Sequence, residues 1–203
     1  MGFPERVKFG TYLGRGRVCL QQGDYAAASG WFSTAINFAE TNDEMAQALH
    51  GAACAWTARG DHETAMSYLQ SARERSPYDA DILYNLGLTY QRIGENDKAT
   101  QCFQEAIRLK PESPLPYTAL GAMNLAAGAC RDAVALLNQA LDLQPGYPEA
   151  MYYLASAYVR LEDYAPAMDT CKRLLGLQPR NRTFLQLYDL IESLQATDAQ
   201  SVS

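Results

Sequence analysis

The chain has 203 residues, of which 48% are hydrophobic and 20% are charged, and its formal net charge is -6. This composition is ordinary for a soluble domain or a short repeat array, whereas the acidic balance disfavours nucleic-acid binding, which requires clustered lysine and arginine. No apolar run approaches the roughly 20 residues that a membrane-spanning helix needs, so we expect no membrane insertion.

The start of the chain carries no apolar stretch typical of a signal peptide. Residues 1–8 are predicted to be an N-terminal extension. A local excess of positive charge, at Arg6, Lys8, Arg15 and Arg17, is interpreted as a solvated end. Five widely spaced cysteines, none of them in a CxxC pair, are most simply reduced thiols, which predicts a cytoplasmic location.

A repeat of 34 residues runs through most of the chain. It is marked by Leu86-Gly87, Leu120-Gly121 and Leu154-Ala155, and by prolines in one register: Pro77, Pro111, Pro145 and Pro179. Four units follow without a gap, over 46–79, 80–113, 114–147 and 148–181. An earlier unit, 9–42, fits with a shift of three residues, and a longer connection is predicted at Thr41 to Glu44.

Each unit has the pattern of two amphipathic helices. Apolar or small residues recur at three and four residues' spacing in both halves, and a glycine such as Gly94 separates them. The proline after the second helix ends it. One hairpin cannot bury its own apolar face, so neighbouring hairpins must stack. After Pro179, helical spacing predicts a further amphipathic helix over 182–195, followed by a disordered tail at 196–203.

These features resemble the tetratricopeptide repeat (TPR) family over residues 9–181. Unit 80–113 has its motif at Leu83, Leu86-Gly87, Tyr90, Gly94, Ala99, Phe103, Ala106 and Pro111. Arg15 departs from it, because the first unit should have an apolar residue there. The resemblance implies an all-α fold, an α-α superhelix (solenoid) of five hairpins, TPR 1 to TPR 5, with 182–195 as a capping helix. It also implies a concave groove lined by the first helices.

No residue pattern points to catalysis. Only two histidines occur, His50 and His62, and no histidine or cysteine pair has the spacing of metal ligands. The segment Gly14-Arg15-Gly16-Arg17 lacks the lysine and hydroxyl of a phosphate-binding loop. We expect no enzyme activity, no cofactor and no metal.

The family's groove positions predict a peptide-binding surface. Its candidate residues are Tyr84, Asn85, Leu88, Arg92, Leu115, Thr118, Leu125, Tyr152, Tyr153 and Arg160. Aromatic residues and arginine are enriched where partners dock, and an asparagine amide both donates and accepts hydrogen bonds. The hypothesis is an extended or helical peptide with apolar anchors and an acidic group for an arginine. The alternative is that these tyrosines and arginines pack only against neighbouring hairpins.

The resemblance also excludes one sub-family. Asn85 occupies one position of the carboxylate clamp of co-chaperones, but the matching cationic positions are Leu115, Ala119, His50 and Cys54. We therefore expect no recognition of a heat-shock chaperone tail.

A non-catalytic scaffold or adaptor that binds a protein partner is the predicted function. The alternative is a substrate-recruiting or regulatory arm of a larger enzyme or of a secretion or assembly complex. Weak self-association through the array ends is a third option, because Leu185 and Leu190 lie on another face of the last helix.

Overall fold

The structure, a computed structural model, describes residues 5–201, with side chains from residue 7 to residue 197. Within these residues it contains eleven α-helices and no strand, which confirms the all-α prediction. The helices are α1 (Glu5–Gln21), α2 (Tyr25–Ile36), α3 (Asn42–Ala58), α4 (His62–Arg75), α5 (Ala80–Arg92), α6 (Asn96–Leu109), α7 (Pro114–Ala126), α8 (Cys130–Leu143), α9 (Pro148–Arg160), α10 (Tyr164–Leu177) and α11 (Arg182–Ser201).

The chain forms two compact units, one up to Lys110 and one from Pro111. In the first unit, the hairpins α1–α2, α3–α4 and α5–α6 pack in order, and α3 contacts both α1 and α5. In the second unit, the hairpins α7–α8 and α9–α10 pack together, α7 contacts α9, and α11 packs on α9 and α10. Odd-numbered helices therefore lie beside one another within each unit and form an odd-helix face.

The turn inside each hairpin needs a residue in the left-handed conformation just after the first helix. Gly60 and Gly94 supply it, with φ of 84° and 83°, because glycine has no Cβ to clash. Glu162 adopts the same conformation in the last hairpin, with φ of 60°.

Close packing inside each unit depends on glycines that face large buried side chains. Phe32 lies against Gly16 and Gly51, and a Cβ at Gly87 would lie 2.5 Å from Cε1 of Phe103. Phe32 and Phe103 are fully buried. The glycines thus let the odd-numbered helices approach the ring carried by an even-numbered helix.

The predicted longer connection at Thr41 to Glu44 lies earlier in the structure, because it covers 37–41, whereas 76–79 connect α4 to α5. Helix α3 begins at Asn42 and has 17 residues, whereas α5 has 13. Thr41 and Glu44 form a capping box, in which the Thr41 hydroxyl accepts from the Glu44 N–H and the Glu44 carboxylate accepts from the Thr41 N–H. The three-residue shift of the first repeat is therefore an extra helical turn.

Two terminal predictions also differ from the structure. Helix α1 begins at Glu5, inside the predicted extension 1–8, and α11 continues to Ser201, where a disordered tail was predicted from 196. No glycine or proline interrupts 182–201, so nothing in the sequence ends the helix at 195. Residues 1–4 of the extension and 202–203 of the tail lie outside the described residues.

Candidate interaction surfaces

The ten candidate residues divide between the two units. Tyr84, Asn85, Leu88 and Arg92 lie on α5 in the first unit. The other six lie in the second unit, on two helices: Leu115, Thr118 and Leu125 on α7, and Tyr152, Tyr153 and Arg160 on α9.

Asn85 is held firmly on the odd-helix face of the first unit. Asp79 caps α5 by accepting from the N–H groups of Asp81 and Ile82, which fixes the helix turn that carries Asn85. The Asn85 Nδ2 amide donates to Nε2 of His50 at 2.7 Å and to the Asp81 carbonyl oxygen at 2.9 Å. Both amide hydrogens are thus used, and Oδ1 has no protein partner among the described residues.

His50 is not among the ten candidate residues, but it contacts the side chain of Asn85 directly. His50 occupies the same repeat position as Tyr84, one unit earlier. The repeat register could therefore have identified it from the sequence. Burial lowers the pKa of the imidazole, assisted by Arg17 and opposed by the carboxylates of Asp79 and Asp81. His50 is therefore neutral near pH 7, and its Nε2 can accept the bond from Asn85.

The other three candidates on α5 differ in their exposure and contacts. Tyr84 is half-buried and its ring lies 5.8 Å from the ring of Phe103, tilted by 49°. Leu88 is half-buried, and Arg92 is exposed in the last turn of the helix. Arg92 has no ion pair among the residues whose side chains are described, so its guanidinium can meet an acidic group.

Two candidates in the second unit are almost completely buried. Thr118 is only 2% exposed, and its hydroxyl donates to the Pro114 carbonyl oxygen at 3.0 Å. Leu125 is 7% exposed and belongs to the core around Leu137 and Leu154. Both side chains are thus shielded from solvent by protein, and their assignment as ligand contacts stays a prediction.

The two α9 tyrosines differ in their surroundings. The rings of Tyr152 and Tyr153 meet edge to face at 5.6 Å, and Tyr152 also lies 5.9 Å from Phe184 of α11. Tyr152 therefore helps to pack α11. Burial, the Glu149 carboxylate and Tyr152 raise the pKa of Tyr153, so its hydroxyl remains a neutral donor.

Arg160 has a structural contact that the sequence did not reveal. Its Nη1 donates to the Leu125 carbonyl oxygen at 2.8 Å, in the last turn of α7. A cation at this position satisfies a free carbonyl and complements the negative end of the helix dipole. At least one N–H donor of Arg160 therefore bonds to the neighbouring hairpin, as the alternative interpretation of this arginine expected.

The accessible part of the second unit's odd-helix face is shallow and apolar. Leu115 is exposed near the start of α7, and the half-buried Ala119 and Ala122 and the exposed Ala126 follow along the same helix. Tyr153 stands beside them on α9. Small side chains next to an aromatic ring leave room for an apolar group of a partner.

Within the described part of the chain, no three His, Cys, Asp or Glu residues are grouped so that they could hold a metal ion. None of its helices combines the length and apolarity needed to cross a lipid bilayer.

Family models described as "Tetratricopeptide repeat" match residues 80–113 and 124–191, together about half of the chain. The peroxisomal targeting signal receptor of Saccharomyces cerevisiae is 28% identical over 114 residues, which are 56% of this chain and 19% of the receptor. This chain therefore spans about a fifth of that receptor's length.

Solved structures share the fold at low sequence identity. The pilF protein of Pseudomonas aeruginosa superposes with a TM-score of 0.83 at 18% identity, covering 98% of this chain and 89% of that chain. YrrB, described as a TPR protein with an unusual peptide-binding site, has a TM-score of 0.63 at 17% identity, covering 86% and 89% respectively. These similarities show the helical-hairpin fold alone.

Proposed function

This chain belongs to the tetratricopeptide repeat family, and from that premise we propose that it is a non-catalytic scaffold that binds a segment of a partner protein. The binding surfaces are the two odd-helix faces. The first is defined by Gln47, His50, Asn85, Leu88 and Arg92. The second is defined by the residues Leu115, Ala119, Ala122, Ala126 and Tyr153.

The observation that carries the proposal is the fixed amide of Asn85. His50 and the Asp81 carbonyl oxygen take both of its hydrogens, so Oδ1 is held in one orientation. A carbonyl oxygen fixed in this way can accept a hydrogen bond from a peptide N–H without first losing side-chain entropy. The proposed role of Asn85 is therefore to anchor the backbone of the partner.

The side chains around Asn85 suggest the chemistry of the bound segment. Leu88 offers an apolar contact, and Arg92 offers a charge for an acidic residue. In the second unit, Tyr153 and Leu115 flank small residues, which favours an apolar side chain of the partner. YrrB is described as a TPR protein with an unusual peptide-binding site, which supports a peptide as the class of partner, although the description concerns that protein.

A peptide library tests the proposal. Random peptides displayed on phage are selected on the immobilised chain, and the dissociation constant of the best binder is measured by calorimetry. Loss of one hydrogen bond in Asn85→Ala is expected to weaken a peptide on the first face about tenfold. Tyr153→Ala is expected to weaken a peptide on the second face by a similar factor.

The matched controls are substitutions of the same residue types at positions outside the two odd-helix faces. Asn138→Ala alters an exposed asparagine on α8, and Tyr78→Ala alters an exposed tyrosine in the loop before α5. Both variants should bind as wild type. Selected peptides whose affinity is insensitive to Asn85→Ala and to Tyr153→Ala would contradict the proposal, as would failure to select any peptide.

A second candidate is a recruiting or regulatory arm of a larger enzyme or assembly. The observation in its favour is that this chain corresponds to only 19% of the yeast receptor that it resembles. The mass of the natural gene product, measured by immunoblotting, distinguishes the two candidates. A product much heavier than 22.4 kDa favours the arm, and one of this mass favours the free scaffold.

A further inference from the structure

The outer surface of α1, here called the α1 face, comprises Val7, Lys8, Thr11, Arg15 and Val18. Thr11, Arg15 and Val18 hold the repeat positions that Ala48, Ala52 and Ala55 hold in α3, once the three-residue shift is included. The three alanines are completely buried against the first hairpin. In α1, whose helix contacts are with α2 and α3, the same positions are exposed.

The two cationic side chains of the α1 face are held against aromatic rings. The Arg15 guanidinium lies 4.8 Å from the centroid of the Trp31 ring, and Lys8 Nζ lies 5.3 Å from that of Phe38. Tyr12 stacks between these two rings, at 5.9 Å from Trp31 and 5.3 Å from Phe38. A depression of about 300 Å³ lies between the cations and is lined by Val7, Lys8, Thr11, Tyr12 and Arg15.

This part of the chain differs in charge from the rest. From Val7 to Gln21, α1 contains three cationic residues and no acidic one, in a protein whose formal net charge is -6. The α1 face is therefore basic, and it also carries the exposed aliphatic side chains of Val7 and Val18.

The outer surface of α11, here called the α11 face, comprises Leu185, Asp189 and Glu192, which follow one another at four and three residues' spacing. Leu185 and Asp189 follow Met151 and Ala155 of α9 by one repeat, and those two residues are buried. Ala155 packs against α10. In α11 the same positions are exposed, and in the described part of the chain only α9 and α10 contact this helix.

Each face thus has a charged residue where an inner hairpin has a buried alanine, and the two charges are opposite. Polar residues alone would be expected at any end of a stacked array, because they keep it soluble. Solubility does not require opposite signs, nor does it require the apolar side chains of Leu185, Val7 and Val18, which are 42% to 50% exposed. Complementary charge around apolar side chains is the property of surfaces that dock.

We propose that the chain self-associates head to tail, with the α11 face of one copy docked on the α1 face of a second copy. Asp189 and Glu192 lie opposite Arg15 and Lys8, and Leu185 contacts the exposed aliphatic side chains of the α1 face. The two faces differ, so the contact is heterologous and leaves one face of each type free. None of the residues that define the two odd-helix faces takes part in this contact. The self-association is therefore independent of the proposed function.

Sedimentation velocity of the full chain at low salt, from micromolar to near-millimolar concentration, tests the contact. The weight-average sedimentation coefficient is expected to rise with concentration, and to rise less at high salt, because salt screens the charges. Arg15→Glu alone and Asp189→Arg alone should each weaken association at least tenfold. Their equimolar mixture, and the chain that carries both changes, should regain it because opposite charges meet again.

Two control substitutions, one of a cation and one of an acidic residue outside the two faces, separate the effect of the faces from general charge effects. Arg17→Glu changes an exposed cation that lies near Gln47, away from the α1 face, and Asp142→Arg changes an exposed acid on α8. Both should associate as wild type. If Arg15→Glu loses its circular dichroism signal, Lys8→Glu paired with Glu192→Lys replaces it.

Three results would overturn the proposal. One is a strictly monomeric wild type at every concentration, and another is association that survives both charge reversals. The third is failure of the mixed variants to associate while each remains folded.

Discussion

Gly87 and Gly30 both lie inside helices, but a Cβ would meet opposite surroundings at the two positions. At Gly87 it would lie 2.5 Å from the buried Phe103 ring, whereas at Gly30 nothing lies within 4 Å. Gly87→Ala should therefore lower the free energy of unfolding by about 1–3 kcal/mol through overpacking. Gly30→Ala should raise it by roughly 0.5–1 kcal/mol, because alanine is the better helix former.

Urea unfolding followed by circular dichroism measures both changes, each variant serving as the control for the other. Equal effects of the two substitutions would show that the packing of Phe103 on Gly87 does not limit the helix approach.

His50 gives the chain a predicted pH dependence. Burial lowers the pKa of its folded-state imidazole from the ordinary 6.5, so the unfolded chain binds this proton more readily. The contribution of neutral His50 to the free energy of unfolding is therefore fully present above the pKa of the unfolded chain. It is lost as the pH falls from that pKa to the lower pKa of the folded chain. Protonation also removes the Nε2 acceptor used by Asn85.

The measurement is the free energy of unfolding at pH 7 and about one unit below the ordinary histidine pKa. Wild type should lose stability over this interval, and His50→Gln should lose less of it. A variant that keeps the wild-type dependence would show that the effect comes from other groups.

At the scale of elements, the ends of helices explain the largest disagreement with the repeat pattern. The repeat register assigns Thr41 to a connection, but a Thr-x-x-Glu capping box starts α3 there. Similarly, the end of α7 is completed by Arg160 from α9. The ends of helices therefore depend on hydrogen-bond partners, which the spacing of apolar residues does not indicate.

Thr41→Ala tests the cap. Loss of the hydroxyl acceptor should lower the free energy of unfolding by about 0.5–2 kcal/mol. Thr34→Ala is the matched control, because the Thr34 hydroxyl only bonds back to the Gly30 carbonyl oxygen within α2. The control substitution should lower the free energy of unfolding by less than about 0.5 kcal/mol, since alanine has a higher helix propensity than threonine. A cost for Thr41→Ala no larger than the control's would show that the cap is dispensable.

At the scale of the whole molecule, all five cysteines are free thiols. Burial raises the pKa of Cys54 to about 11, and it also raises the pKa of Cys102 and Cys171. Since only the thiolate reacts, the native Cys54 should be alkylated roughly 100-fold more slowly at pH 8 than a thiol of ordinary pKa. A cytoplasmic location remains a prediction from this reduced state.

Mass spectrometry of iodoacetamide-treated protein checks this, with and without guanidinium. Cys54, Cys102 and Cys171 should be protected in the native chain and react once it unfolds. Rapid native alkylation of Cys54 would mean that α3 opens often enough to expose it.

The sequence alone determined the helical hairpins, their order and much of their core. Ala65, Ala99 and Leu83 are buried as their spacing predicts, because a helix places residues three and four apart on one face. It also determined which candidate residues lie on odd-numbered helices. The assignment of the ten residues to one peptide-binding site stays a prediction.

Only the tertiary structure decided what each candidate side chain contacts. Thr118 and Leu125 are buried between helices, Arg160 completes the end of α7, and Asn85 is oriented by His50. The last two contacts join residues 35 apart on neighbouring odd-numbered helices. A repeat register gives the direction of a side chain from its helix, but the distance to a neighbouring hairpin determines whether that side chain meets solvent or protein.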